Sequence, residues 1–222
     1  MTDVLVVAPH PDDETLGCGA TLLRHKAEGH AIHWVIVTEM RAELGHTPEQ
    51  MARRQGEIKA VAGRYQFASQ SALALPTMML DTLPMREVVS RMSEVFQRLR
   101  PSTVYLPFPG DAHTDHRVAF DAAMACCKWF RAPFVRRVLS YETLSESDAN
   151  LDPGSVGFRP NVFIDAAAFL EEKIAVLELY RGETGDFPFP RSARAVRALA
   201  DLRGATSGFK AAEAFMLLRE SI

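Results

Sequence analysis

Leu5-Val6-Val7-Ala8-Pro9-His10-Pro11-Asp12-Asp13-Glu14 places one histidine and three acids within five positions, directly after a short apolar run. An unbroken apolar run is the mark of a parallel strand buried on both faces. Pro9 and Pro11 end it by removing backbone donors and fixing φ, so the chain turns at His10. In open α/β sheets, ligand sites lie just outside the carboxyl ends of the strands, which is where this turn delivers its side chains. Carboxylates this close repel one another unless a cation neutralises them or one stays protonated. A metal ion is the simplest remedy. Helix capping by Asp-Asp-Glu is the plain alternative, but it gives His10 no purpose.

A second stretch repeats the arrangement. Thr103-Val104-Tyr105-Leu106 is an apolar strand closed by Pro107, Pro109 and Gly110, and Asp111-Ala112-His113-Thr114-Asp115-His116 follows it. Two His/Asp clusters at two strand ends of one sheet converge on one divalent-metal site. The other four histidines, His25, His30, His33 and His46, have no carboxylate spaced to help them ligate, and read as surface or packing residues.

Further along, residues 15–28 form a helix ending near Gly29, then a strand over 31–38 and a polar loop from Glu39 to His46. A helix spans 48–63 and a strand 72–75, after which Asp81 falls in a loop bordering the pocket. The amphipathic repeat of Val88, Met92, Val95 and Leu99 predicts a helix over 84–99. A helix follows over 117–130, strands over 137–142 and 162–165, and helices over 167–180 and 193–203. Residues 148–160 and 182–192 read as loops that wall the pocket. The alternation argues a Rossmann-like, mostly parallel, doubly wound sheet with helices on both faces, in a single domain spanning 1–222. Gly17-Cys18-Gly19-Ala20-Thr21-Leu22 only partly matches a dinucleotide-binding fingerprint. It starts too far beyond the strand and has Leu22 at the third glycine position, so helix-on-sheet packing accounts for its glycines.

Composition narrows the function classes. The chain has 222 residues, 47% hydrophobic and 24% charged, with a net charge of −3. That balance belongs to an ordinary globule and gives no electrostatic case for nucleic acid or an anionic membrane surface. Three cysteines, Cys18, Cys126 and Cys127, lack Cys-x-x-Cys spacing and read as reduced thiols. No segment approaches 18 uninterrupted apolar residues, so no membrane span is expected. The expectation is a soluble cytoplasmic enzyme with a small-molecule substrate. Its oligomeric state is open, a homo-oligomer included.

Two imidazoles and one carboxylate with an open position form a common catalytic zinc set, in which the metal lowers the pKa of bound water towards 7. Of Asp12 and Asp13, one should ligate and the other act as base. His113, with Asp115 or Asp111, fits an oxyanion stabiliser or a proton donor to the leaving group.

Pro-His-Pro-Asp-Asp-Glu after the first strand, with the later His-x-Asp-His, resembles the PIG-L/LmbE family of zinc-dependent N-acetylglucosamine deacetylases. The likeness extends through Arg54-x-x-Glu57, Asp81, Gly204-x-x-x-Gly208 and Ala212-Glu213-Ala214-Phe215. The resemblance implies a Rossmann-like α/β fold and removal of an N-acetyl group from a sugar or glycoconjugate. It implies zinc on His10, Asp13 and His116, with Fe2+ as the alternative metal, and Asp12 as general base. His113 would stabilise the oxyanion or protonate the amine, tuned by Asp115. Arg54, Asp81 and Asp111 would lie on the substrate side, and Glu14 would support the site. Two departures concern the acceptor: Thr38-Glu39-Met40-Arg41-Ala42-Glu43 lacks an Asp-Gly, and Tyr180-Arg181-Gly182-Glu183 replaces a Ser-Gln. A non-haem iron oxygenase uses the same two-His, one-carboxylate set, and a metal- or sugar-binding protein without turnover is the non-enzymatic alternative.

Overall fold

Valine, leucine and isoleucine fill both faces of the central strands, so each strand needs a covering layer on either side. The computed structural model describes residues 3–151, 154 and 157–222, so part of the predicted 148–160 loop lies outside the described residues. Strands β1 (Asp3–Ala8), β2 (Ala31–Glu39), β3 (Ser69–Pro76), β4 (Thr103–Pro107), β5 (Arg137–Tyr141), β6 (Val162–Asp165) and β7 (Ala212–Glu220) form one sheet. Their order is β3-β2-β1-β4-β5-β7-β6. The first five run parallel, and β7 lies antiparallel between β5 and β6. The predicted mostly parallel α/β sheet is thus present, with β7 as an addition: the Ala212–Phe215 motif opens a strand.

Alternate residues of β1 feed opposite cores. Val4, Val6 and Ala8 pack with α1 (Asp13–Ala27), α2 (Pro48–Tyr65), α5 (Leu170–Leu177) and α6 (Ala193–Ser207). Leu5 and Val7 pack on the other face with α3 (Met85–Leu99) and α4 (Thr114–Cys126). On α3, Val88, Met92 and Val95 are buried as their spacing predicts, joined by Phe96, with Leu99 partly buried against them. Helix α4 begins three residues earlier than expected because the His113 ring caps it, Nδ1 accepting from the Asp115 N–H. This puts Asp115 and His116 in its first turn.

Helix α1 is kinked at Cys18, where φ is −143°. A kink breaks i→i−4 bonds, and the freed groups must find partners when buried. Here a buried ion pair supplies them. The Leu16 carbonyl accepts from Lys173 Nζ at 2.8 Å, while Glu213 takes the N–H groups of Ala20 and Thr21 at 2.9 and 2.7 Å and pairs with Lys173 at 2.6 Å. The first segment of α1, which carries Asp13 and Glu14, can therefore take its own direction.

The glycines of this segment serve packing, as expected. A Cβ on Gly17 would lie 2.1 Å from a ring carbon of Tyr141, and one on Gly19 would lie 2.7 Å from the Tyr65 hydroxyl. Tyr141 is fully buried and its hydroxyl donates to the Val7 carbonyl, so it has nowhere to go. Gly17→Ala should cost about 1–3 kcal/mol as an overpacking change. A lower urea midpoint with an unchanged m-value would register it; an unchanged midpoint would mean that the ring can yield.

Among the described residues no helix is long and apolar enough to cross a membrane.

Candidate active site

In this strand order the sheet reverses direction of growth between β1 and β4, and a crevice opens there at the carboxyl ends. The two His/Asp clusters sit on its two sides. His10, Asp13 and His116 bring one ligand atom each to a common point. Asp13 Oδ2 lies 3.4 Å from His10 Nδ1 and 3.3 Å from His116 Nε2. With ligand bonds of about 2.0–2.1 Å, a tetrahedral zinc set has edges of about 3.3–3.4 Å, so the residues fit such a cation.

The far nitrogen of each imidazole is held by its own carboxylate. His10 Nε2 meets Asp115 Oδ2 at 3.0 Å, and His116 Nδ1 meets Asp111 Oδ2 at 2.7 Å. Such pairs put the proton on the outer nitrogen and leave the inner lone pair for the metal. The carboxylates are fixed in turn. Asp115 accepts from the N–H groups of Met78 and Leu80 at 2.7 and 3.0 Å, and Asp111 accepts from Ser147 Oγ at 2.5 Å.

Electrostatics follow this arrangement. Burial opposes the charged form of Asp13, but His116 and His10 overcome it and hold its pKa well below the usual carboxylate range. Burial likewise opposes charge on His10, and hydrogen bonds to Asp115 and Asp13 outweigh it, raising its pKa to about 9. Asp12 is pushed the opposite way from Asp13: burial, then the Asp13 charge, raise its pKa well above the ordinary value, with Arg191 opposing. His113 is lowered to about 4 by burial and by His10, so its imidazole is neutral at pH 7.

Asp12 is the one strained residue of the turn. Its φ is 137°, a region that L-residues rarely occupy. Glu14 explains why the strain persists: buried, it accepts from the Asp12 N–H at 3.1 Å, Thr15 Oγ1 at 2.5 Å and the Tyr180 hydroxyl at 2.8 Å. Burial raises its own pKa to about 7.

A cavity of about 300 Å³ opens over this floor, with His10, Asp12, His113 and Arg54 in its wall. β2, the following loop and α2 also line it, with Ile36, Met40 and Ile58 beside the polar Thr38, Glu39 and Gln55. Arg54 is buried and donates to the Pro11 carbonyl at 3.1 Å and to Glu183. Two expectations need correcting. Asp81 is exposed and does not line the cavity; its neighbours Met78 and Leu80 serve the site through backbone N–H groups instead. Asp111 also stands away from the cavity, with both carboxylate oxygens already used by His116 and Ser147. Asp115 similarly bonds through its carboxylate to His10 and reaches His113 only through its backbone N–H.

The sequence reading missed Arg191. From the loop before α6, its Nη1 reaches Asp12 Oδ2 at 2.7 Å, Nε donates to Ser145 Oγ at 2.7 Å, and the guanidinium contacts Glu146 and Glu183 at 3.3 and 3.4 Å. Its only local sign is a lone arginine in the aromatic, proline-rich Phe187-Pro188-Phe189-Pro190 stretch. The contact spans 179 positions, which no motif spacing reveals.

Comparison with known proteins adds independent findings. Residues 5–127 match the family described as PIG-L, GlcNAc-PI de-N-acetylase. The diacetylchitobiose deacetylase of Thermococcus kodakarensis is 25% identical, over 95% of this chain and 80% of that protein. The crystal structure of the conserved protein TT1542 from Thermus thermophilus superposes with a TM-score of 0.79 at 30% identity, covering 100% of this chain and 97% of that one. The 4-carboxy-2-hydroxymuconate hydratase of Pseudomonas putida KT2440 shares the fold, with a TM-score of 0.76 at 18% identity over 100% and 98% of the two chains.

Proposed function

The chain belongs to the PIG-L family of GlcNAc-PI de-N-acetylases, and from that membership we propose that it hydrolyses the N-acetyl group of an N-acetylglucosamine-type sugar or glycoconjugate, with zinc on His10, Asp13 and His116. One observation carries the reading: three ligand atoms converge beside a carboxylate, Asp12, that is not among them and faces the cavity. His10, Asp13 and His116 would hold a divalent cation, which when bound would supply Lewis acidity towards a water and the amide carbonyl.

The remaining work falls to side chains. Asp12 removes a proton from the attacking water as oxygen adds to the amide carbon, and returns it to the nitrogen as the C–N bond breaks, giving acetate and a free amine. His113 accepts from the Asp115 N–H on Nδ1, so its neutral ring carries the proton on Nε2. That leaves an N–H donor for the carbonyl oxygen as it gains negative charge. The lowered pKa favours this role over a protonated His113 as acid. Arg54 on the cavity wall supplies donors to sugar hydroxyls. Asp115 and Asp111 position the two ligand imidazoles.

Arg191 holds one oxygen of Asp12 and leaves Oδ1 for the water. Arg191→Ala should lower kcat by about 10- to 100-fold with little change in KM, the scale of misplacing a reacting group by about 1 Å. Arg191→Lys should recover part of it. A change confined to KM would make Arg191 a substrate contact instead.

Fe2+ suits the same ligands, and the metal content of protein prepared without added metal decides between the two ions. Neither the α/β sheet nor the family match favours an oxygenase. Three buried free cysteines are in keeping with a cytoplasmic site of action. The direct test is release of primary amine and acetate from a panel of N-acetylglucosaminyl compounds by the zinc-loaded protein. No release from any member, with the metal fully bound, would leave two readings: an acyl group or sugar outside the panel, or a binding protein without turnover.

A further inference from the structure

At the far end of α1 from Asp13, we propose a second divalent-cation site, of the zinc class, built from His25, Glu28 and His30. The helix ends in a Schellman motif: the Gly29 N–H donates to the Lys26 carbonyl and the His30 N–H to the His25 carbonyl, both at 3.0 Å. Gly29 makes the reversal possible with φ of 74°. This turn folds the residue two beyond the cap back over the helix's last turn, where an apolar pair commonly meets. Here the pair is His25 and His30, with Glu28 at the cap between them, a carboxylate partner that the sequence spacing of these histidines did not suggest.

The geometry suits ligation. His25 Nδ1 lies 2.9 Å from His30 Nδ1, and His30 Nδ1 lies 3.6 Å from Glu28 Oε2. These separations bracket the edge of about 3.3 Å expected for a tetrahedral zinc set, so side-chain shifts of a few tenths of an ångström close it. Glu28 is already oriented, since Arg24 takes its Oε1 at 2.9 Å and leaves Oε2 towards His30. His25 is oriented too, by Nε2 against the hydroxyl of buried Tyr105 at 2.9 Å. With Nε2 protonated towards that oxygen, Nδ1 presents its lone pair, the arrangement found at metal-bound histidines.

The helix end favours a cation, with Arg24 and Arg137 as the opposing positive charges near His25. Helix C-termini carry partial negative charge on their last carbonyls. The side chains of His30 and Glu28 are 27% and 43% exposed, which leaves an entry path and room for water in a fourth position. Two imidazoles and one carboxylate select zinc, nickel or copper over magnesium and calcium. About twelve residues of helix separate His25 from Asp13, roughly 18 Å at 1.5 Å per residue, so the two sites fill independently.

Zinc titration of the metal-free 222-residue chain against a chromophoric chelator tests this. The unaltered chain should take up two equivalents. His30→Ala and His30→Gln should each take up one, retaining the active-site equivalent, which also reports that they fold. His116→Ala should keep only the equivalent at His25. A single equivalent that His116→Ala abolishes, or a second equivalent retained in either His30 variant, would overturn the proposal and leave His25 and His30 as a hydrogen-bonded helix cap.

Discussion

Asp12→Asn is expected to lower kcat by about 10³-fold while the protein still binds one ion at His10, Asp13 and His116. The magnitude follows from the 10²–10⁴-fold contribution of a positioned general base. Asparagine isolates that contribution. It keeps the size of the side chain and an oxygen for Arg191 Nη1, and it tolerates positive φ better than alanine, which matters where φ is 137°. It cannot accept the water's proton. Asp12 is not one of the three converging ligands, so metal content should be unchanged. Kinetics on one N-acetylated sugar, with metal content measured on the same sample, give the answer. A variant that loses the ion would show that Asp12 ligates, and a variant with full activity would pass the base role to another group.

The Asn variant also explains why two adjacent acids can differ in role. Asp13 faces two imidazoles and stays charged at low pH, whereas Asp12 faces Arg191 and the cavity and is more easily protonated. Environments that push neighbouring carboxylates apart separate ligand from base. The motif supplies the pair; only the fold decides which member faces which partner.

Much of the architecture was legible because its signals are local. The apolar run Leu5–Val7 followed by prolines, and the repeat of Val88, Met92 and Val95, each report one element with one period. Strand β7 escaped because its start, Ala212-Glu213-Ala214-Phe215, carries a buried acid whose partners, Lys173 and the N–H groups of Ala20 and Thr21, lie far away in sequence. The same limit hid Arg191. It also misplaced Asp81 and Asp111: sequence put both near the site, but not on which side of the ligands their carboxylates fall. Fold alone does not choose the chemistry either, since a hydratase shares it. The case for deacetylation rests on the family match and on the residues at the β1 and β4 ends.

His116→Ala should abolish both metal binding at the active site and turnover, and excess zinc should not restore either. The ligand set is small, Asp13 Oδ2 with one nitrogen each from His10 and His116, and removal of His116 Nε2 leaves only His10 and Asp13. The chemistry then loses its Lewis acid, worth several kcal/mol of transition-state stabilisation, or at least about 10³-fold in rate at 1.36 kcal/mol per tenfold. Asp111→Ala provides the contrast. It keeps every ligand but removes the carboxylate that fixes the His116 Nδ1 proton at 2.7 Å. Loss of such a partner typically weakens metal affinity by 10- to 100-fold, so Asp111→Ala should lose activity in limiting zinc and regain most of it when zinc is raised a hundredfold. Activity of each variant measured across a zinc series separates the two roles. If Asp111→Ala stays inactive at saturating zinc, Asp111 does more than orient His116; if His116→Ala recovers, His116 is not a required ligand.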